Sequence, residues 1–359
     1  MKVNKFVIIG CGYVSSLYMD SYLNDKNYKK NFQLIGCFDI DKIKALNFSK
    51  FYKCKRFNST SEIINEKPEL ILILTSIDSH FKLSKYFLKQ KINVFCEKPP
   101  AKKYNQFLEL NEISKKNNVR YSFAPCNHLN AQIKFIKKKI NSRKLGNLEH
   151  IHLNYKAGIN LNNKPWNWKN TFGSKWPALE EFKHGVFEEH ALYLIRILNS
   201  IVEDTLEKIN VIKSCDLMDK KIIKNTINDN YLINLKFKNY LARLELGLFF
   251  EKKMFIKIYF KNGYIYLKNF RNEKLPIYIF EYKNYKNFFF KVFNKFNFLD
   301  FRILFCKKKK FYNKFANSQK YVDYFAGVYY LLTSNQKTYE RIKLEDDKAL
   351  SLYFDLKNF

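Results

Sequence analysis

Residues 94–101 read VFCEKPPA, an apolar run that ends on an acid, a base and two prolines. Such a run is typical of a buried strand. Proline has no N–H to donate to a strand ladder, so the strand has to stop before Pro99. We therefore predict that Glu97 and Lys98 lie at the carboxyl end of a strand. In open parallel sheets, that edge is where ligands bind.

The chain around this stretch alternates predicted strands and helices up to about residue 124. This βαβ alternation predicts a doubly wound parallel sheet with right-handed crossovers, so residues 1–123 form a first α/β domain. The predicted strands are Lys5–Ile9, Phe32–Asp39, Leu70–Thr75, Asn93–Cys96 and Arg120–Ala124.

Residues 124–359 show a different pattern, which predicts a second α/β domain with a largely antiparallel sheet. Asn262-Gly263 stands between two strand-like runs and is a strong hairpin signal. Helices are predicted over residues 187–198, 321–333 and 345–358. The predicted strands of this half cover residues 150–155, 208–213, 231–237, 240–250, 254–260, 264–270 and 277–282.

The length of 359 residues suits two domains. No apolar run reaches the roughly 18 residues of a membrane span, and the first apolar run is too short for a signal peptide. The seven cysteines form no CxxC pair, so neither a disulfide framework nor a metal site is expected. We predict a cytoplasmic protein.

The formal net charge of +32 invites a nucleic-acid interpretation. The basic residues are mostly lysine and accompany frequent Asn, Ile, Phe and Tyr, which share A/T-rich codons. We therefore interpret the charge as a solvated basic surface and expect no nucleic-acid partner. Residues 284–316 are aromatic and basic, which suits either an interfacial helix or core packing. We do not expect membrane association.

A glycine motif, Gly10-Cys11-Gly12, follows the first predicted strand and opens a helix. Glycines there allow a tight turn and the close approach of a pyrophosphate to the helix N-terminus. Asp39 ends the second strand, where an acid can bind both ribose hydroxyls of an adenosine and repel the 2′-phosphate of NADP. A helix cap is the alternative role of Asp39.

Three further groups can serve chemistry near the predicted edge. Lys98 can hydrogen-bond a substrate hydroxyl and stabilise alkoxide charge, or it can form a structural ion pair with Glu97. His190 can act as a general acid or base because the pKa of histidine lies close to neutral, or it can be a partly buried histidine at a helix end. His80 alone is interpreted as a surface histidine or one that supports other site residues.

These residues resemble the glucose–fructose oxidoreductase / inositol dehydrogenase (Gfo/Idh/MocA) family of NAD(P)-dependent oxidoreductases. The resemblance rests on the glycine motif, Asp39, Thr75-Ser76 with His80, and above all Cys96-Glu97-Lys98-Pro99. It implies a Rossmann domain followed by an α/β domain whose open sheet often forms the oligomer interface. It also implies oxidation of a hydroxyl on a sugar, sugar nucleotide or cyclitol, or the reverse reduction.

The resemblance assigns Lys98 and His190 to catalysis and suggests a cis bond before Pro99. It implies NAD(P) as cofactor, of which Asp39 makes NADP the less favoured form, together with a carbohydrate-like substrate and a homodimer or homotetramer. The residues that we expect to bind NAD are Gly10, Gly12, Tyr13, Val14, Asp39, Thr75, Ser76, His80, Glu97 and Lys98.

One position departs from the family pattern of an acid four residues before the histidine. Val186 stands there, and it can neither bind a hydroxyl nor relay a proton. Glu188 and Glu189 are near, but they are expected to point elsewhere unless a local shift lets Glu188 substitute. The departure also motivates an alternative function, a nucleotide-binding regulator or scaffold on the same fold.

The substrate side is predicted from few residues. His128 stands where relatives often carry an arginine or an aromatic pair, and it is either a substrate contact or a loop histidine. Trp168 can stack on a sugar face or anchor a loop. Glu188 completes the candidate set. The sequence thus predicts an NAD-dependent oxidoreductase of two domains, with hydride transfer between nicotinamide C4 and a hydroxyl-bearing carbon.

Overall fold

The structure of the chain, a computed structural model, describes residues 3–159, 168–176, 178–215, 228–249, 251–282, 306–311 and 323–359. Its first half alternates strands and helices as the sequence predicts. The bounds are β1 Asn4–Ile9, α1 Tyr13–Asn24, α2 Lys26–Asn31, β2 Phe32–Phe38, α3 Lys42–Tyr52, β3 Lys55–Arg56, α4 Thr60–Asn65, β4 Leu70–Ile73, α5 Ile77–Lys89, β5 Asn93–Cys96, α6 Tyr104–Lys116 and β6 Tyr121–Phe123.

These six strands form one parallel sheet in the order β3-β2-β1-β4-β5-β6. Strand β4 is fully buried, which explains its unbroken apolar sequence, since both faces of a parallel sheet are covered. The strand order reverses between β1 and β4, and such a switch point is where open α/β sheets bind ligands. The predicted doubly wound sheet is confirmed.

The second half begins with a short 3-10 helix, Asn127–Leu129. The further bounds are α7 Ala131–Asn141, β7 Leu148–Lys156, α8 Ala178–Ile201, β8 Leu206–Ser214, β9 Asn230–Phe237, β10 Leu241–Gly247, β11 Lys253–Phe260, β12 Gly263–Leu267, β13 Ile277–Tyr282, β14 Cys306–Phe311, α9 Ala326–Thr333 and α10 Gln336–Lys357.

Strands β7–β14 form a second sheet in the order β14-β13-β12-β11-β7-β10-β9-β8. Every pair is antiparallel except β10 with β7, which confirms the mostly antiparallel prediction. One face of this sheet packs on α8. The other face carries aromatic and basic side chains, namely His150, His152, Phe255, Lys257, Tyr259, Tyr264, Tyr266, Tyr278, Phe280, Lys308 and Lys310.

Helix bounds differ from the sequence prediction where caps decide them. Helix α10 begins at Gln336 rather than at residue 345, because Asn335 caps it by accepting a hydrogen bond from the Thr338 N–H (2.9 Å). The helix predicted over residues 187–198 belongs to α8, which is broken at Gly185 (φ 72°, ψ 169°). This break sets the position of the residues that follow it.

The chain returns to the first sheet near its C-terminal end. The ring of Phe325 lies 5.3 Å from that of Tyr22 and 5.3 Å from that of Phe32. Helix α9 then packs against β5 and β6. The division at residue 124 stays a prediction, and these contacts add that the second half completes one core of the first. Among the described residues, no helix has the length and apolarity to cross a membrane.

Candidate functional site

The glycine turn lies between β1 and α1, at the switch point of the first sheet. Gly10 has φ +96°, and a Cβ there would lie 2.6 Å from the carbonyl carbon of Leu74. Gly12 is the N-cap of α1 and has no side chain that could cap the helix. A Cβ on Gly12 would meet no heavy atom within 4 Å. This open space beside a helix N-terminus fits a pyrophosphate.

Asp39 directly follows β2 and faces the glycine turn. Its Oδ2 accepts a hydrogen bond from the Cys11 N–H (2.7 Å), and its Oδ1 accepts one from the Asp41 N–H (2.8 Å). The helix-cap role falls instead to Asp41, whose Oδ1 accepts from the Ile43 and Lys44 N–H groups. Asp39 is therefore left at the turn, where a ribose would sit.

His80 is buried and links two strand ends. Its Nδ1 lies 2.8 Å from the carbonyl oxygen of Pro99, and its Nε2 lies 3.0 Å from that of Thr75. Burial lowers the pKa of this imidazole. Of the two interpretations from sequence, the structure favours support of the main chain around the site over a surface position. Thr75 and Ser76 themselves lie partly exposed at the edge.

Glu97 and Lys98 lie at the carboxyl end of β5, but they do not pair through their side chains. The Glu97 Oε1 accepts from the Tyr18 hydroxyl (2.7 Å), and its Oε2 accepts from the Lys98 main-chain N–H (2.9 Å). The Lys98 ammonium instead lies 2.5 Å from the carboxylate of Glu189. The bond between Lys98 and Pro99 is cis, as the resemblance suggests.

The expectation that Glu189 points elsewhere is wrong, because its carboxylate contacts the Lys98 ammonium. Glu189 directly precedes His190 in α8, after the break at Gly185, and its side chain is 8% exposed. Val186 is fully buried and takes no part. The expectation that Glu188 could substitute is not met, because its carboxylate contacts His184 (3.2 Å) and Lys357 (2.5 Å).

His190 lies in the same cluster as Lys98 and Glu189, which its local sequence does not predict. Its ring stacks on that of Tyr155 with centroids 4.3 Å apart and planes 21° apart. Burial, together with the charges of Lys98 and Arg271, holds its pKa well below the ordinary value. The lowered pKa favours the neutral imidazole, and the acid–base role of His190 stays a prediction.

Two residues of this cluster were not singled out from sequence. Tyr155 ends the buried face of β7, so a hydroxyl on an otherwise apolar face was an available signal. Arg271 follows β12 and donates hydrogen bonds to the hydroxyls of Tyr155 and Tyr324 (2.8 Å for Tyr324). Nothing in the local pattern of Arg271 predicted this position, since the contacts join distant segments.

The remaining substrate candidates lie in other surroundings. His128 is buried, and its pKa is held well below the ordinary value by burial and then by Arg196 and Lys134, not by Lys98. Trp168 is 45% exposed and stacks on Trp176 with centroids 5.3 Å apart. Within the described part of the chain, no group of three or more metal-ligating side chains is found.

The segment of Trp168, residues 168–176, covers the glycine turn. Ser174 Oγ donates to the Cys11 carbonyl (3.0 Å), and the Phe172 ring lies 5.4 Å from that of Phe48 in α3. From sequence, Trp168 was expected either to stack on a sugar face or to anchor a loop. The contacts of this segment bring it to the candidate dinucleotide site.

Comparisons with known proteins agree with this geometry. Residues 4–124 match the model of an oxidoreductase family with an NAD-binding Rossmann fold. A glucose-6-phosphate 3-dehydrogenase of Bacillus subtilis is 25% identical over 173 residues, which is 48% of this chain and 48% of that protein. The chain thus spans about half the length of this curated relative.

Solved structures resemble the chain over a greater length. A UDP-N-acetylglucosamine 3-dehydrogenase from Acidithiobacillus ferrooxidans has a TM-score of 0.70 at 11% identity, over 99% of this chain and 96% of that one. The WlbA dehydrogenase from Bordetella pertussis, in complex with NADH and UDP-GlcNAcA, has a TM-score of 0.63 at 14% identity over 83% and 82%.

A myo-inositol 2-dehydrogenase from Lactobacillus plantarum has a TM-score of 0.63 at 15% identity, over 74% of this chain and 76% of that one. At these identities the likeness shows the fold alone. Residues 4–124, about a third of the chain, are thus similar to the Gfo/Idh/MocA oxidoreductase family with its NAD-binding Rossmann fold.

Proposed function

We propose that the protein is an NAD-dependent oxidoreductase that transfers a hydride between nicotinamide C4 and a hydroxyl-bearing carbon of its substrate. One observation carries the proposal. The Lys98 ammonium is held by Glu189 at the carboxyl end of β5, and its charge acts on the buried His190. A cation at that edge can donate a hydrogen bond to a substrate hydroxyl and stabilise alkoxide charge as the hydride leaves.

Each side chain has a distinct role in this proposal. The Lys98 Nζ would donate a hydrogen bond to the substrate oxygen and stabilise alkoxide charge. Glu189 would hold the ammonium in place and take up the proton that leaves the hydroxyl through Lys98. His190, neutral because of its surroundings, would orient the same hydroxyl with a ring nitrogen.

The dinucleotide would lie across Gly10, Gly12 and the N-terminus of α1, with Tyr13, Val14, Thr75 and Ser76 at its edges. When bound, it would accept or supply the hydride. Asp39 favours NAD over NADP, because its carboxylate can bind ribose hydroxyls but repels a 2′-phosphate. His80 and Glu97 would hold the residues around the dinucleotide in place, since their polar atoms hydrogen-bond to the main chain and to Tyr18.

The substrate class follows from the relatives. They act on a sugar phosphate, a nucleotide sugar or an inositol, as their names state. We infer a carbohydrate-like small molecule for this chain. The regulator alternative rested on Val186, and Glu189 supplies the acid that Val186 lacks, so the enzyme is favoured.

We also infer a homo-oligomer, a dimer or tetramer, formed through the face of the second sheet that lies opposite α8. That face presents rows of rings and lysine side chains, such as Tyr264 stacked on Phe280 at 4.3 Å. An aromatic surface of this kind suits an interface. Sedimentation of a monomer at all concentrations would contradict it. We further infer a cytoplasmic location, consistent with the free cysteines among the described residues.

The proposal is tested by NADH binding and by NADH formation with a panel of sugars, sugar phosphates, nucleotide sugars and cyclitols. We expect Lys98→Met to lower kcat by at least about 100-fold, with a much smaller effect on NADH affinity. Lys102→Met is the matched control, since Lys102 is exposed and pairs with Asp78. No NADH binding, or full turnover by Lys98→Met, would exclude the proposed function.

A further inference from the structure

Arg271 is a cation in the candidate site that the proposed chemistry does not use. It is half-buried, and its guanidinium lies 5.1 Å from the ring centroid of Tyr193 and 5.8 Å from that of Tyr155. Its main-chain N–H donates to Asn269 Oδ1 (3.0 Å), which fixes the turn that presents it. The rings of Tyr155 and Tyr193 and the hydrogen bond to Asn269 therefore hold Arg271 in place before any ligand binds.

The hydrogen bonds of Arg271 are incomplete. A guanidinium carries five N–H donors, and here Tyr155 and Tyr324 accept one each. In the part of the chain that the structure describes, no carboxylate contacts this guanidinium. A half-buried cation whose partners are neutral hydroxyls has lost much of its hydration without gaining a counter-charge.

The other charges of the site are already paired. Lys98 has Glu189, and Glu97 accepts from the Tyr18 hydroxyl and the Lys98 N–H. Arg271 is the cation in this cluster for which the described residues provide no acid. An anionic group of a ligand would supply the missing charge and bind the remaining donors, and a planar fork suits the two oxygens of a phosphate or carboxylate.

The position of Arg271 relates such an anion to the reacting carbon. The Tyr155 ring stacks on His190 on one side, and its hydroxyl accepts from Arg271. Tyr155 thus lies between Arg271 and His190 and contacts both. The glycine turn lies at the switch point of the first sheet. Because Tyr155 links Arg271 to His190, an oxyanion bound here would lie beside the proposed catalytic residues.

We propose that Arg271 binds an oxyanion of the substrate, so the substrate is an anionic carbohydrate that carries a phosphate or a carboxylate close to the oxidised carbon. This inference rests on the proposed function and narrows its substrate class. Phosphate and carboxylate both present charged oxygens to the guanidinium. Ligands that carry one or the other, each compared with a neutral counterpart, distinguish between them.

The test measures ligand binding to the NADH-loaded protein with two pairs, glucose 6-phosphate against glucose and glucuronate against its methyl ester. We expect one anionic member to bind at least about 10-fold more tightly than its neutral partner. Arg271→Gln should abolish that preference and leave NADH affinity unchanged. Arg271→Lys should retain part of it, since the charge remains but the fork is lost.

The control is Arg341→Gln, which removes one positive charge from an exposed position of α10 and should leave the preference intact. A structural role of Arg271 alone would weaken the anionic and neutral ligands equally, and that result would overturn the proposal. Binding of neither member of either pair, or equal binding of both, would overturn it too. Failure of NADH to bind would instead count against the proposed function itself.

Discussion

The residue pair Lys98 and Glu189 joins two parts of the chain that are 91 positions apart. Lys98 is placed by the end of β5, and Glu189 is placed by the turn of α8 after Gly185. Neighbouring residues of a helix point about 100° apart, so Glu189 and His190 can both face one cleft edge while Glu188 faces away. The acid of the site thus directly precedes the histidine in sequence.

We predict that Glu189→Gln lowers kcat by about 100-fold, because the amide cannot take up a proton or hold the ammonium of Lys98 by charge. NADH affinity should stay within about 2-fold, since Glu189 is not in the dinucleotide wall. Steady-state rates with a substrate found by the panel, and NADH titration, check both statements.

The control for this prediction is Glu188→Gln, one position earlier in the same helix. Its carboxylate contacts His184 and Lys357, so we expect kcat to change by less than about 3-fold. Equal losses in the two variants would show that the charge of the helix matters and that the contact with Lys98 does not.

The turn between β1 and α1 contains two glycines whose missing side chains serve different purposes. Gly10 has a positive φ and touches the main chain of Leu74, so its lack of a side chain serves the fold. Gly12 has φ −78° and open space around its Cα, so its lack of a side chain serves a ligand. Within three residues, Gly10 is thus needed for folding and Gly12 for ligand binding.

We predict that Gly10→Ala lowers the free energy of unfolding by more than about 2 kcal/mol, through backbone strain and the clash with Leu74. Gly12→Ala should change it by less than about 1 kcal/mol and yet weaken NADH binding by about 10-fold, because the methyl group occupies the space for the pyrophosphate. Urea unfolding and NADH fluorescence titration measure the two effects. Unchanged NADH affinity in Gly12→Ala would contradict the assignment of this turn.

For the whole molecule, three buried histidines make stability depend on pH. Burial lowers the pKa of His80, His128 and His190 in the folded chain. In the unfolded chain each returns to about 6.5. Below that pH the unfolded state binds protons that the folded state does not, so the contribution of these residues to stability is full above about pH 6.5 and is lost as the pH falls.

We predict that His128→Asn makes the free energy of unfolding less dependent on pH. Between about pH 5.5 and 6.5 the wild-type slope should exceed that of the variant by up to about 1.4 kcal/mol per pH unit, the value for one proton. Urea unfolding across this range gives both slopes. Above about pH 8 the two slopes should coincide, and a difference that persisted there would have another cause.

Several features of this protein were determined by its sequence alone. Local patterns predicted the parallel sheet, the largely antiparallel second sheet, and the strand that ends at Lys98, because hydrophobic periodicity and prolines act over a few residues. Gly10, Gly12 and Asp39 were likewise identifiable, since the turn and the strand end that present them are local.

Other features were decided only by the tertiary structure. The contacts of Glu189 with Lys98 and of Arg271 with Tyr155 join segments far apart in the chain. Their geometry depends on the break at Gly185 and on how the two sheets are placed, which no local pattern encodes. The lowered pKa of His190 has the same origin, because it arises from burial and from two cations on other elements. The sequence thus identified Lys98 and His190 as groups available for chemistry, and packing decided which other groups meet them.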